Sequence, residues 1–313
     1  MWKVDLSDAQ RAKEKQRPTK HHFVPVFYTK RWAGADRRLC EYSRPFDVVR
    51  PKRRHPDATG YEVGLYSLRH LPAEQQQAVE EGFLRRTDQD ASDALDWMLG
   101  PHAREPMSTR LRTGWSRFLM SMMQRSPARL DWMVDEVMKL VPASLGSLRE
   151  RYKQIRQPGD PPFEEIAEEI LSENNRSYYS SRRALFMRKA SDLKGVGYHL
   201  NNMEWDIFHF NDSIQWSLLT SDRPVVMSNG LKYDQSFALM ALGPKTMFVA
   251  ANNRRAMGEI TRNAEGKEFI RVINRQIVTQ AERLVYGVDD TQLRFVENHL
   301  RKRDNPPAYR SHS

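Results

Sequence analysis

Gln215-Trp216-Ser217-Leu218-Leu219-Thr220-Ser221-Asp222-Arg223-Pro224-Val225-Val226 reads as a strand, a polar corner and a second strand. The corner sets Asp222 between the hydroxyl of Ser221 and the guanidinium of Arg223. Catalytic carboxylates occupy corners of this kind. So do turn acids that hydrogen-bond their own backbone ahead of a proline. Just upstream, Met203 to Phe210 alternates with period two and Asn211-Asp212-Ser213 supplies a turn, so 203–210 and 215–220 are expected to pair as a β-hairpin. Pro224–Met227, Phe237–Ala241 and Thr246–Ala251 add shorter strands. An antiparallel sheet is therefore expected in this part of the chain. Asp206 and His209, three apart on a strand, point to opposite faces and make a poor metal pair.

Before the sheet, the pattern over 73–193 is helical. Near 73–99, Val79, Phe83, Leu84, Ala91, Ala94, Leu95 and Met98 recur at three- and four-residue spacings. On that wheel Glu80 and Thr87 fall inside the apolar stripe and Asp88 at its edge. A carboxylate on an inner face needs a partner, which makes Glu80 the more informative acid. Arg110 to Met123 repeats the pattern with Leu111, Trp115, Phe118, Leu119, Met122 and Met123. Ser126 is placed to cap the next helix and Pro127 to open it. Arg125 either pairs with Glu80 across the bundle or satisfies the carbonyls of its own helix end. Gln157-Pro158-Gly159-Asp160-Pro161-Pro162 breaks the pattern, and helices near 163–173 and 178–193 follow. After the sheet, Phe269 to Val285 returns to helix, with Ile270, Ile273, Ile277, Ala281 and Leu284 inward and Asn274 beside them, and Thr291 to Leu300 forms a last helix.

At the other end, His22 to Tyr28 is rich in β-branched and aromatic residues, and Leu39-Cys40-Glu41-Tyr42 reads as the returning strand of an N-terminal hairpin. Pro25 argues for an edge position. His21 and His22 are adjacent on this strand, so one ring faces the core and the other faces out. The fold class expected is α+β: a central helical bundle packed against an antiparallel β-sheet, with an N-terminal β-hairpin. Residues 1–20 read as a flexible lead-in, 21–300 as a single α+β domain with a subdomain boundary near 157–162 and mixed β/α structure over 200–300, and 301–313 as a disordered basic tail.

Composition narrows the functional classes. One cysteine, Cys40, excludes an internal disulfide framework and a cysteine-built zinc site, and fits a reducing cytoplasm. No apolar run reaches the roughly 20 residues a membrane span needs, and no export signal is read. The net charge is +10, and residues 1–70 carry 16 Lys/Arg against 8 Asp/Glu. Such an excess points to an anionic partner, nucleic acid first. Arg50, Lys52, Arg53 and Arg54 form a basic loop suited to a phosphate backbone. Arg182 and Arg183, with Tyr178 and Tyr179 nearby, combine cations with rings that stack on bases.

His22-Phe23-Val24-Pro25 with Tyr28, then Glu80 and Asp88, then Gln124-Arg125-Ser126-Pro127, then Thr220-Ser221-Asp222-Arg223-Pro224, then Asn274 with Ala281 and Arg283-Leu284-Val285-Tyr286 follow in an order that resembles a bacterial family catalogued as domain of unknown function 4238. The likeness spans roughly residues 20–290. Asp88 stands where glutamate is expected, which shortens that acid's reach, and Leu242-Gly243-Pro244 replaces a proline-leucine pair. The resemblance supports these positions and implies no reaction. The leading expectation is a nucleic-acid-acting, nuclease-like hydrolase. In it His22 is general acid or base, Asp222 and Glu80 orient it or hold a divalent cation, Arg125 stabilises phosphate charge, and Asn274 is a fifth polar position. The alternative is a non-catalytic nucleic-acid or protein-binding module in which the same cluster is structural.

Overall fold

Strand pairing begins with the first residue described. The computed structural model describes residues 20–103, 105–172, 175–228, 230–264 and 266–301, so the expected lead-in and basic tail lie, apart from Lys20 and Arg301, outside the described residues. β1 (Lys20–His22) pairs with β4 (Tyr61–Val63), and β2 (Leu39–Ser43) forms a hairpin with β3 (Arg50–Arg54). An N-terminal hairpin is thus present, but 22–28 is not one of its arms. That stretch leaves the strand at His22, and Val26–Thr29 coils into a short helix, α1. Pro25, with φ −64° and ψ 143°, has no amide hydrogen for a ladder, and its carbonyl accepts from Tyr28 and Thr29 at 3.1 and 3.0 Å. Arg50–Arg54, expected as a loop, is the edge strand of a sheet.

That sheet runs β3-β2-β10-β6, with β6 at Thr220–Ser221 and β10 at Leu284–Gly287. A second antiparallel sheet runs β5-β9-β8-β7: β5 is Glu204–His209, β7 Val225–Met227, β8 Phe237–Gly243 and β9 Thr246–Ala251. The corner at Asp222 therefore joins strands of two different sheets. The hairpin expected from 203–210 and 215–220 does not form, because β5 pairs along its length with β9, from Glu204↔Ala251 to His209↔Thr246. Gln215 to Leu219 is irregular backbone whose polar groups find other partners. Lys245 Nζ donates to the carbonyls of Ile214 and Trp216, and the Leu218 amide donates to the Pro244 carbonyl at 2.8 Å.

The helices supply the other layer. A π-helical turn, Glu80–Leu84, runs into α2 (Arg85–Leu99), followed by α3 (Thr109–Met122) and α4 (Pro127–Ile155). The expected stripes are mostly buried: Val79 and Leu84 ahead of α2, Ala91, Ala94, Leu95 and Met98 on it, and Leu111, Trp115, Phe118, Leu119 and Met122 on α3, whereas Phe83 and Met123 are only half-buried. Trp115 meets Phe248 of β9 edge-on at 5.5 Å, which seats the bundle on the second sheet. Ser126 caps α4, its hydroxyl accepting from the Arg129 amide at 3.3 Å, and Pro127 opens the helix. Residues 157–162 separate α4 from α5 (Phe163–Leu171).

The single helix expected over 178–193 is two, α6 (Asn175–Ser180) and α7 (Arg183–Ser191). At the break, Ser181 Oγ and Arg182 both donate to the Tyr178 carbonyl, at 2.7 and 3.1 Å, in place of continued helix bonds. α8 (Lys194–Asn202) precedes β5, and α9 (Arg254–Asn263), an unanticipated helix capped by Asn253, follows β9. α10 (Gly266–Gln280) stops short of the expected 285 because Leu284 already belongs to β10, and α11 (Leu293–His299) comes last. No helix among the described residues is long and apolar enough to cross a membrane.

Candidate functional site

Of the polar residues singled out in the sequence, Asp222 stands where the two sheets part, and Arg125 and Glu80 lie in the adjoining bundle. Asp222 is 1% exposed. Its Oδ1 accepts from the Glu282 amide at 2.9 Å, and its Oδ2 accepts from the amides of Arg283 and Leu284 at 2.7 and 3.0 Å. This carboxylate accepts from three successive amides that follow α10, and so fixes the turn of the chain into β10. Burial and the neighbouring Glu282 carboxylate raise the Asp222 carboxyl above its ordinary range, against the pull of those three amides.

Glu282 carries the network to the bundle, since the Ser126 hydroxyl donates to its Oε1 at 2.8 Å. Next to Ser126, Arg125 is fully buried. Its guanidinium donates to Asp88 at 2.9 and 3.3 Å and to Ser121 Oγ at 2.5 Å. The partner of Arg125 is thus Asp88, one residue further along the helix than Thr87, and neither Glu80 nor its own helix end. Asp88 remains about a quarter exposed at 26%. Burial raises its carboxyl, and the Arg125 charge opposes that shift. Glu80 adjoins this pair. Burial pushes it up to about 7 while Arg125 pulls it down, and its Oε2 is buried without a hydrogen bond.

The histidine facing the core is His21, not His22. Its Nδ1 accepts from the Tyr66 amide at 2.9 Å, leaving Nε2 to donate to Gln77 Oε1 at 2.8 Å. The Tyr66 hydroxyl in turn donates to the Arg125 carbonyl at 2.7 Å. His22 lies half-buried against Tyr61, with Nε2 3.3 Å from the Asp57 carbonyl, and burial lowers its pKa. Asn274 takes no part in this network. It accepts from the Leu219 amide at 2.8 Å and donates to the Ser217 carbonyl and Gln292 Oε1 at 2.9 and 3.0 Å, bracing the irregular stretch before β6. His22, Glu80 and Asp222 do not assemble a cation site: among the described residues no group of three or more His, Cys, Asp or Glu is placed to hold a metal.

Segments as distant as 21–22, 80–88, 125–126 and 220–286 therefore meet in space, in the set whose order was recognisable in the sequence. A family model described as protein of unknown function, DUF4238, matches residues 20–291. The chain belongs to this family. No curated protein and no solved structure matches it. The DUF4238 region keeps its polar centre mostly out of solvent. The open feature beside it is a cavity of about 400 Å³ lined by Glu41, Arg54, Thr59, Glu62, Glu282 and Arg283, among others. Arg283 is paired with Glu62 at 2.7 Å, and the Thr59 hydroxyl bonds Glu41 and lies 3.1 Å from the Tyr286 hydroxyl.

The basic residues separate into spent and available groups. Arg53 is held by Asp36 at 2.6 Å, Arg183 by Asp131 at 2.6 Å, and Arg182 by the Tyr178 carbonyl with its guanidinium 3.6 Å from the Tyr178 ring. Arg54 lies 3.6 Å from Glu41. Arg50 and Lys52 are exposed and make no ion pair among the described residues. Strand alternation puts them on the face of the sheet that Arg54 shares, through Ser43↔Arg50, Glu41↔Lys52 and Leu39↔Arg54. Sequence reading missed one neighbour: Phe46, in the loop joining β2 to β3, is 81% exposed. Its signal was an aromatic between Pro45 and Asp47, flanked by Arg44 and Arg50.

Proposed function

We propose that the chain is a non-catalytic module that binds single-stranded nucleic acid through the β2–β3 hairpin, while the buried polar network braces the junction of the two sheets. One observation carries this reading: an almost fully exposed Phe46 followed by the unpaired cations Arg50 and Lys52 on an edge strand. A bare aromatic stacks on any base, and cations beside it meet the phosphates. Val48, in the same loop, is also exposed at 56%, so two apolar side chains stand in water beside these cations. The excess of positive charge over residues 1–70 adds steering toward a polyanion.

Fluorescence anisotropy with a labelled single-stranded oligonucleotide tests the proposal. Phe46→Ala is expected to weaken binding by about 1–3 kcal/mol, the worth of one stacked base. Arg50→Glu with Lys52→Glu is expected to lower the slope of log affinity against log salt by about 1.4, roughly 0.7 for each lost phosphate contact on a single strand. Wild-type affinity in both variants would overturn the reading. The hydrolase reading keeps one supporting observation, Glu80, whose raised carboxyl and unbonded Oε2 suit proton transfer near neutrality. Cleavage of the oligonucleotide by the wild type, lost in Glu80→Gln, would favour it instead.

A further inference from the structure

A second basic feature lies on the helical side of the molecule, apart from the hairpin. The π-helical turn, α2, α3 and α7 surround a cavity of about 280 Å³ whose lining includes Gly82, Phe83, Arg86, Arg117, Arg188 and Asp192. Three arginines from three helices and one carboxylate line it. Arg117 Nε donates to Asp192 at 3.0 Å, and the described bonds leave its outer nitrogens to a second acceptor. The Arg188 guanidinium stands 6.0 Å from the Phe83 ring, and Arg86 makes no ion pair among the described residues. Cations brought to one concavity repel each other until an anion joins them.

Gly82 lies in the cavity wall. A β-carbon there would meet nothing within 4 Å, so packing does not require glycine. Glycine inside a helix costs about 0.5–1 kcal/mol relative to alanine. The missing side chain leaves the wall of the cavity open at a π-helical turn, a distortion that recurs at functional sites.

We propose that this cavity binds a small phosphorylated anion, of the size of a diphosphate or a phosphate monoester, between Arg86, Arg117 and Arg188. Guanidinium forks match phosphate oxygens two at a time, which a lysine cluster would not do. The volume sits at the small end of ligand pockets, which suits a compact anion and not a polymer groove.

Isothermal titration calorimetry of the full chain with sodium diphosphate, against sodium chloride at equal ionic strength, tests this. Saturable binding is expected to the wild type and to the Arg50→Glu/Lys52→Glu hairpin variant, which separates this site from the nucleic-acid surface. Arg86→Ala/Arg188→Ala removes two exposed side chains and is expected to bind roughly tenfold more weakly or worse. Gly82→Leu favours the helix while filling the cavity, and is expected to lose binding with its thermal unfolding intact. No binding by the wild type beyond the chloride control overturns the proposal. So does wild-type affinity in both the double-arginine variant and Gly82→Leu.

Discussion

Replacing Asp222 asks whether the polar centre braces the fold or works on a ligand. Its two carboxylate oxygens take three amide hydrogens, from Glu282, Arg283 and Leu284, in a site 1% exposed. Asp222→Ala leaves all three donors buried without an acceptor. An orphaned buried donor costs about 1–3 kcal/mol, and water entering the vacated space recovers part of that, so a loss of about 3–5 kcal/mol is expected. Asp222→Asn keeps the shape. Its carbonyl oxygen serves Arg283 and Leu284 best, which turns the amide nitrogen toward the Glu282 N–H, donor against donor. One orphan then remains, a loss of about 1–3 kcal/mol, reduced by whatever repulsion from Glu282 the lost charge relieves. Urea unfolding followed by tryptophan fluorescence gives both values by linear extrapolation. Oligonucleotide anisotropy on the folded variants should match the wild type. An asparagine variant within about 0.5 kcal/mol of the wild type, with binding or turnover abolished, would show that Asp222 is a working group.

Glu80 holds its proton more tightly in the folded chain, at about 7, than at its ordinary value of 4.5. Between those values the folded state binds more protons than the unfolded, so the contribution of Glu80 to stability falls as pH rises through that window and is constant outside it. Glu80→Gln should flatten that part of the stability–pH curve, and superimposable curves for the two proteins would refute the assignment. Arg125→Met leaves Asp88 beside Glu80 with no counter-charge and should cost about 3–5 kcal/mol. Adding Asp88→Asn should restore more than half of that loss in the same urea assay; no recovery would mean that Arg125 matters for its packing on Phe118, 5.6 Å away, and not for its charge.

Helical periodicity made the bundle legible, because α3 buries one unbroken stripe and Ser126-Pro127 announces α4 by a mechanism that needs no tertiary partner. The stretch 215–219 shows the limit of such patterns. It alternates like a strand, yet its backbone is satisfied by Lys245 and Asn274, more than 25 residues away in the chain, and no local pattern distinguishes a side-chain partner from a neighbouring strand. Period two required one of His21 and His22 to face inward and was silent on which, since that depends on the Tyr66 amide meeting Nδ1. The wheel put Glu80 inside and Asp88 at the edge; Arg125 reaches the edge acid because Ser121, one turn back on α3, holds its guanidinium from the other side.

The position of Asp222 also explains why a recognisable order of motifs need not mark a reaction centre. β6 and β10 belong to one sheet and β7 to the other, so the chain must leave the first ladder at Ser221 and start the second at Val225. At that point the end of α10 arrives with amides that no strand can satisfy. A carboxylate accepts all three in the space of one side chain, where a neutral group of the same size would leave at least one unpaired. The Ser126 bond to Glu282 then ties the same junction to the start of α4. Each of these residues is determined by where backbone groups run out of partners, which is a requirement of the fold whatever the molecule binds. Side chains with no such duty, Phe46, Arg50 and Lys52 on the hairpin and Arg86 and Arg188 at the helical cavity, are the ones the fold leaves available for a ligand.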